Sequence, residues 1–154
     1  MFEAFFVRVK MRLNKLFGGL LFPLMLLASS CSTPNNVEYA GDVFSAKLVS
    51  YAVLPKGKAI SYGSAKITLG SDLAQTRAKV SISNLEGNVT GIYIFGPARI
   101  GQNGAPIIRL SGDETNFVIN REQFLNLRAG LLYISVMTDK YPEGELRGQL
   151  ISEF

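Results

Sequence analysis

The 154-residue chain has no histidine and no tryptophan, and its single cysteine is Cys31. With one cysteine, no disulfide can close within the chain. With no imidazole and one thiol, a single chain cannot build a thiolate or imidazole metal site. Serines are plentiful, but none has a histidine to take its proton, and no Ser-x-x-Lys pattern occurs. Charge is sparse at 18% of residues. Residues 1–31 carry Arg8, Lys10, Arg12 and Lys15 against Glu3, a net of +3. Residues 32–154 hold 12 basic and 11 acidic side chains, a net of +1. They contain no basic run, which argues against a nucleic-acid partner. No long amphipathic helix separates the strand-like segments, which argues against a parallel α/β fold.

What is present begins with an apolar run, Leu20 to Leu27, after a basic start and before Ala28, Ser29 and Ser30. The run is shorter than the roughly 20 apolar residues that span a bilayer. It fits a secretory signal over residues 1–30. The junction Leu27-Ala28-Ser29-Ser30-Cys31 resembles a bacterial lipobox, in which the cysteine becomes the lipidated first residue of the mature protein. Residues 11–31 alone have usual signal proportions, so Met11 is an alternative start. Acyl chains such as palmitate would hold the protein at a membrane, at about 0.8 kcal/mol per buried CH₂. In enterobacterial sorting rules Ser32 directs a lipoprotein to the outer membrane. Residues 31–41 then form a polar tether.

Residues 42–154 read as one domain. Period-2 alternation marks strands at residues 42–50, 64–69 and 77–84, with Phe44, Ala46, Leu48, Ala65, Ile67, Leu69, Ala78, Val80 and Ile82 inward. Further strands are expected at 91–95, 107–110 and 116–119. Asn120 and Gln123 form a capping box that opens a short helix over 121–127, ended by Gly130. A hairpin follows. Leu132, Ile134 and Val136 share one face of its first strand and Tyr133, Ser135 and Met137 the other. Leu146, Gly148 and Leu150 alternate with Glu145, Arg147 and Gln149. One face is apolar and the other mixed, as expected for a hairpin lying on a core. Regular spacing of short strands and turns predicts an all-β fold with one short helix: an antiparallel β-sandwich, of Greek-key, superoxide-dismutase-like or immunoglobulin-like kind, or a partly closed barrel.

Four segments carry a resemblance. Residues 93–98 (YIFGPA), 103–108 (NGAPII), 130–138 (GLLYISVMT) and 142–149 (PEGELRGQ) resemble the CHRD domain, named after chordin and widespread in bacterial secreted proteins. The resemblance runs from about residue 43 to 151. It implies a β-sandwich, an extracytoplasmic setting and little defined chemistry. The family pattern usually has histidine where this chain has Tyr93, Phe95 and Met137. Those histidines invite comparison with copper/zinc superoxide dismutases, and here they are replaced.

Tyr93, Phe95, Tyr133 and Met137 share a sheet face if their strands are neighbours. They form either a partner-binding platform or a second patch of core under the loop 99–106; packing is favoured, because methionine and aromatic rings pack well together. Arg147, with Glu145 on its strand face, either holds an anion or makes a structural ion pair or bonds to loop carbonyls near Gly96-Pro97. Asp139, Glu143 and Glu145, with Asp113 and Glu114, match no calcium loop and read as solvated turn residues. The expected function is a lipid-anchored, non-catalytic binding or envelope-structural module. Its partners would be the membrane, through the lipid, and an unidentified envelope protein or glycan, with no cofactor, no metal and no nucleic acid. The alternative is a divergent metal-binding or superoxide-dismutase-like enzyme.

Overall fold

The computed structural model describes residues 41–71 and 73–153. The signal, Cys31 and the tether up to residue 40 lie outside the described residues. Nine strands follow one another as β1 (Val43–Val49), β2 (Tyr62–Thr68), β3 (Thr76–Ser83), β4 (Val89–Gly96), β5 (Ala105–Leu110), β6 (Glu114–Phe117), β7 (Tyr133–Thr138), β8 (Leu146–Gln149) and β9 (Ile151–Ser152), with helix α1 (Arg121–Arg128) between β6 and β7.

All pairings are antiparallel, and they link into one sheet of order β5-β4-β7-β8-β1-β2-β3-β6. The sheet is therefore continuous and nearly closed, the barrel-like form of the all-β expectation. The seam between its two halves is narrow. β8 meets β1 only at Val49↔Arg147, and the far end of the same β1 edge is taken by β9 at Phe44↔Ser152 and Ser45↔Ile151. Gly148 makes this approach sterically allowed, since a Cβ there would fall 2.4 Å from the Lys47 carbonyl oxygen. At the open side the chain passes directly from edge strand β5 to edge strand β6, and Asp113 O accepts from Val80 N at 2.7 Å.

Alternation decides which side chains fill the interior. Phe44, Ala46 and Leu48 on β1 face Ala65 and Ile67 on β2, Ala78 and Val80 on β3, and Ile92, Ile94, Ile134 and Val136 across the barrel, all buried in one cluster. Successive side chains point to opposite faces, so Lys47, Lys66 and Lys79 fall outside. Helix α1 adds Phe124 and Leu127 to the same cluster. Its start follows the sequence signal. Asn120 Oδ1 accepts from Gln123 N at 2.8 Å, and Gln123 Oε1 accepts from Asn120 N at 3.0 Å. Its end is a Schellman turn: Gly130, at φ +66°, donates to Leu127 O, and Leu131 N donates to Asn126 O.

The structure departs from the sequence expectations at several strand starts and in two further places; β2, β4 and β5 each begin two residues earlier than expected. β6 begins two residues before the expected 116, because Glu114 and Thr115 continue the ladder with β3 at Lys79 and Ala78. β9 was not expected, because two residues carry no period. The hairpin β7–β8 has no solvated face, for reasons given below.

The capping box makes a direct prediction. Asn120→Ala leaves the Gln123 amide without its acceptor and should lower the unfolding free energy by about 1 kcal/mol. Urea unfolding checks it, and Asn120→Asp should recover most of the loss.

Candidate functional site

β4, β7 and β8 are neighbours, so their outward residues form one patch. Register places Phe95 opposite Tyr133, Tyr93 opposite Ser135, and Ser135 opposite Arg147. The Phe95 and Tyr133 rings stack with centroids 5.2 Å apart and planes 7° from parallel. Arg147 lies over Tyr133, its Cζ 3.7 Å from the ring centroid. Tyr93 meets Phe95 edge-on at 6.0 Å and has Arg109 over it at 5.8 Å. Met137 packs against the same small cluster.

A loop folds down over this patch. Gly96, at φ +155°, directs the chain back across β7, and Ala98 N donates to Leu131 O at 2.8 Å. Gln149 Nε2 donates to Ala98 O and Gly130 O at 3.0 and 2.7 Å. Arg147 donates to Gln102 O at 2.5 Å and to Asn103 Oδ1 at 2.8 Å. Gly104 N donates to Tyr133 Oη at 3.1 Å. The cover is close: Phe95 is 8% exposed, and Tyr133 and Arg147 are 4% exposed. Tyr93 and Met137 are half-buried. This cover is why the hairpin lacks a solvated face. The expected bond from Arg147 to loop carbonyls is made, but to Gln102 rather than beside Gly96-Pro97.

A cavity of about 210 Å³ remains between the loop and the patch. Phe95, Tyr133, Met137 and Arg147 line it together with Val53, Leu54 and Ser135. The structure thus brings four of the five candidate residues to one cavity. Tyr93 stands beside it, braced on Phe95. The sequence did not mark Val53 and Leu54 as its wall; the Leu54-Pro55 break was the only signal there.

Arg147 and Glu145 do not pair. Among the described residues no carboxylate lies within salt-bridge distance of Arg147. Burial pushes its pKa down from the ordinary value, and the neighbouring Tyr133 acts the other way. Glu145 faces a different set of groups. It is 1% exposed, which corrects its assignment to a solvated turn. Its Oε1 accepts from Ser61 Oγ and from Glu86 N, the latter at 2.7 Å, and its Oε2 accepts from Thr138 Oγ1 at 2.8 Å. Three donors repay the burial of the carboxylate. Its turn neighbours Asp139 and Glu143 are exposed, as are Asp113 and Glu114. Among the described residues no three His, Cys, Asp or Glu side chains gather closely enough to hold a metal ion.

Two exposed carboxylates bind the β7–β8 turn to the β3–β4 loop. Asp139 accepts from Asn88 N and Nδ2 at 2.9 and 2.8 Å, and these bonds hold its pKa below the ordinary value of 3.8. Glu86 is held below 4.5 by Lys140 and Tyr141. A carboxyl with a depressed folded-state pKa stabilises the fold above its unfolded pKa, and that contribution vanishes as pH falls through the folded value. Asp139→Asn should therefore melt below wild type at about pH 6, and the gap should close towards about pH 3. A gap that stays constant across that range would refute this account.

The CHRD-domain family model matches residues 44–150, from β1 through the residue after β8. No curated protein and no solved structure matches the chain. The matched segment is more than half of the chain and contains the whole patch, its covering loop and the cavity. The chain belongs to the CHRD-domain family.

Proposed function

We propose that this protein is a lipid-anchored extracytoplasmic lipoprotein whose CHRD domain acts as a non-catalytic binding or envelope-structural module. The observation that carries the reading is the cavity under the loop. Aromatic rings, a thioether and one buried guanidinium line it, and the positions where the family resemblance expects histidine hold Tyr93, Phe95 and Met137. Such a set recognises a ligand by stacking, apolar contact and hydrogen bonds. The one hydroxyl of a lining serine, Ser135 Oγ, donates to the Leu146 carbonyl oxygen rather than to a base.

The anchor rests on Cys31 at the end of the apolar run, and Ser32 after it supports the outer membrane in a Gram-negative host. The expected result of radioactive palmitate labelling in cells is strong label on wild type and none on Cys31→Ala; equal label on both would overturn the anchor. For the module, in-cell cross-linking should give a discrete adduct. Met137→Glu should reduce it by about fivefold or more, the loss expected from a contact worth ~1 kcal/mol. An undiminished adduct would remove the cavity from the binding role. Stoichiometric copper or zinc in the purified protein would overturn the non-catalytic reading in favour of a metalloprotein.

A further inference from the structure

Arg147 poses a physical problem that the fold only partly answers. Arg147 is 4% exposed as a residue, and its guanidinium faces the cavity while its bonds go to a neutral carbonyl and a neutral amide oxygen. The Tyr133 face at 3.7 Å offers a quadrupole, which is weaker compensation than an anion. Buried charges are normally paired with a charge or a metal. The nearby buried carboxylate, Glu145, is occupied by three donors elsewhere. Among the described residues the one carboxylate lining the cavity, Glu143, is exposed and makes no salt bridge to Arg147.

The cavity beside this cation has the remaining features of a ligand site. Tyr133 Oη accepts from Gly104 N, which leaves its own proton to donate. Val53, Leu54, Phe95 and Met137 supply an apolar part of the wall beside the polar Asn103, Ser135 and Glu143. At about 210 Å³ it is large enough to admit a small ligand. A single planar cation beside aromatic walls suits a planar monoanion on an apolar body, since guanidinium and carboxylate match as forks. Phosphate carries more charge than this site neutralises.

We propose that the cavity binds a small organic carboxylate, its oxygens on Arg147 and Tyr133 Oη and its apolar part against Phe95, Met137 and Leu54. This rests on the reading of the domain as a binding module and gives that module a ligand class. Glu143 at the rim opposes the anion.

The test uses the full chain in non-ionic detergent, with benzoate as the probe and benzamide as its neutral counterpart. Binding is read from the amide NMR shifts of Gly104, Tyr133 and Met137. Benzoate should bind saturably with Kd on the order of 1 mM, as expected for a ligand of this size. Benzamide should be about tenfold weaker or worse, the factor that a charge-assisted bond supplies. Arg147→Gln should abolish benzoate binding, and Glu143→Gln, which alters only an exposed side chain, should tighten it. Equal binding of benzoate and benzamide overturns the proposal, as does weakened binding in Glu143→Gln or the absence of any saturable shift. The Glu143 variant and the benzamide comparison decide the question even if Arg147→Gln fails to fold. Loss of the benzoate result with the cellular adduct retained removes the ligand class alone; loss of both removes the module reading as well.

Discussion

Glu145→Ala is expected to lower the unfolding free energy of the domain by about 3 to 4 kcal/mol and its melting temperature by about 15 °C. The carboxylate is a buried three-way acceptor. Ser61 comes from the segment before β2, Glu86 from the β3–β4 loop, and Thr138 from the end of β7. Its removal leaves two hydroxyls and one amide without acceptors, at about 1 to 3 kcal/mol for each buried group not rescued by water. The side-chain volume is lost as well. Glu145→Gln separates the two contributions. The amide oxygen can keep Ser61 and Glu86, while its NH₂ faces Thr138 Oγ1. That hydroxyl already accepts from Tyr141 N at 3.1 Å and can accept again. The glutamine variant should therefore lose only about 1 kcal/mol. Urea and thermal unfolding give the order wild type, glutamine, alanine. A Glu145→Ala protein that melted within a few degrees of wild type would show that water replaces the carboxylate, and the claim that it ties the three segments together would fail.

Glu145 also marks the boundary of what the sequence could convey. In a turn rich in Pro142 and Gly144, a glutamate reads as solvated. Its burial depends on donors 59 and 84 residues away, at Glu86 and Ser61, and no local pattern encodes them. By contrast, β1, β2 and β3 were legible because each buries one face in a shared core and exposes the other, so period 2 survives along the chain. The helix start was legible because Asn120 and Gln123 act on each other within three residues. The joining of the two halves of the sheet was not legible. It rests on one pairing between Val49 and Arg147 and on a two-residue strand. The candidate residues were found through alternation and family wording, since Tyr93, Phe95, Tyr133 and Met137 break the polar pattern expected on an outer face. Packing under the loop 99–106 was the favoured expectation for them, but alternation alone does not require that cover. That cover depends on Gly96 and Gly104 lying close enough that a Cβ on Gly104 would come within 2.9 Å of Gly96 Cα.

Tyr133→Ala should be at least as damaging as the loss of Glu145, at about 3 to 5 kcal/mol, the range for emptying a buried aromatic position. The ring is the middle layer of a three-layer stack, with Phe95 on one side and Arg147 on the other. Its loss removes an aromatic pair worth about 0.5 to 1.5 kcal/mol beyond its buried area. It also leaves Arg147 without the face that partly replaces its water. The hydroxyl has a separate job, since it holds the covering loop through Gly104 N. Tyr133→Phe isolates that job. The stack remains, the Gly104 amide loses its acceptor, and the cost should be about 1 kcal/mol. Amide hydrogen exchange discriminates further. In Tyr133→Phe the Gly104 amide should lose protection while the β7 amides keep theirs, because the loop loosens before the sheet. In Tyr133→Ala both should exchange faster, since a loss of this size is a large part of a typical 5 to 15 kcal/mol total. If Tyr133→Ala cost less than about 1 kcal/mol, the outer cluster would not be a second core, and the loop would be a flap whose closure contributes little to the fold.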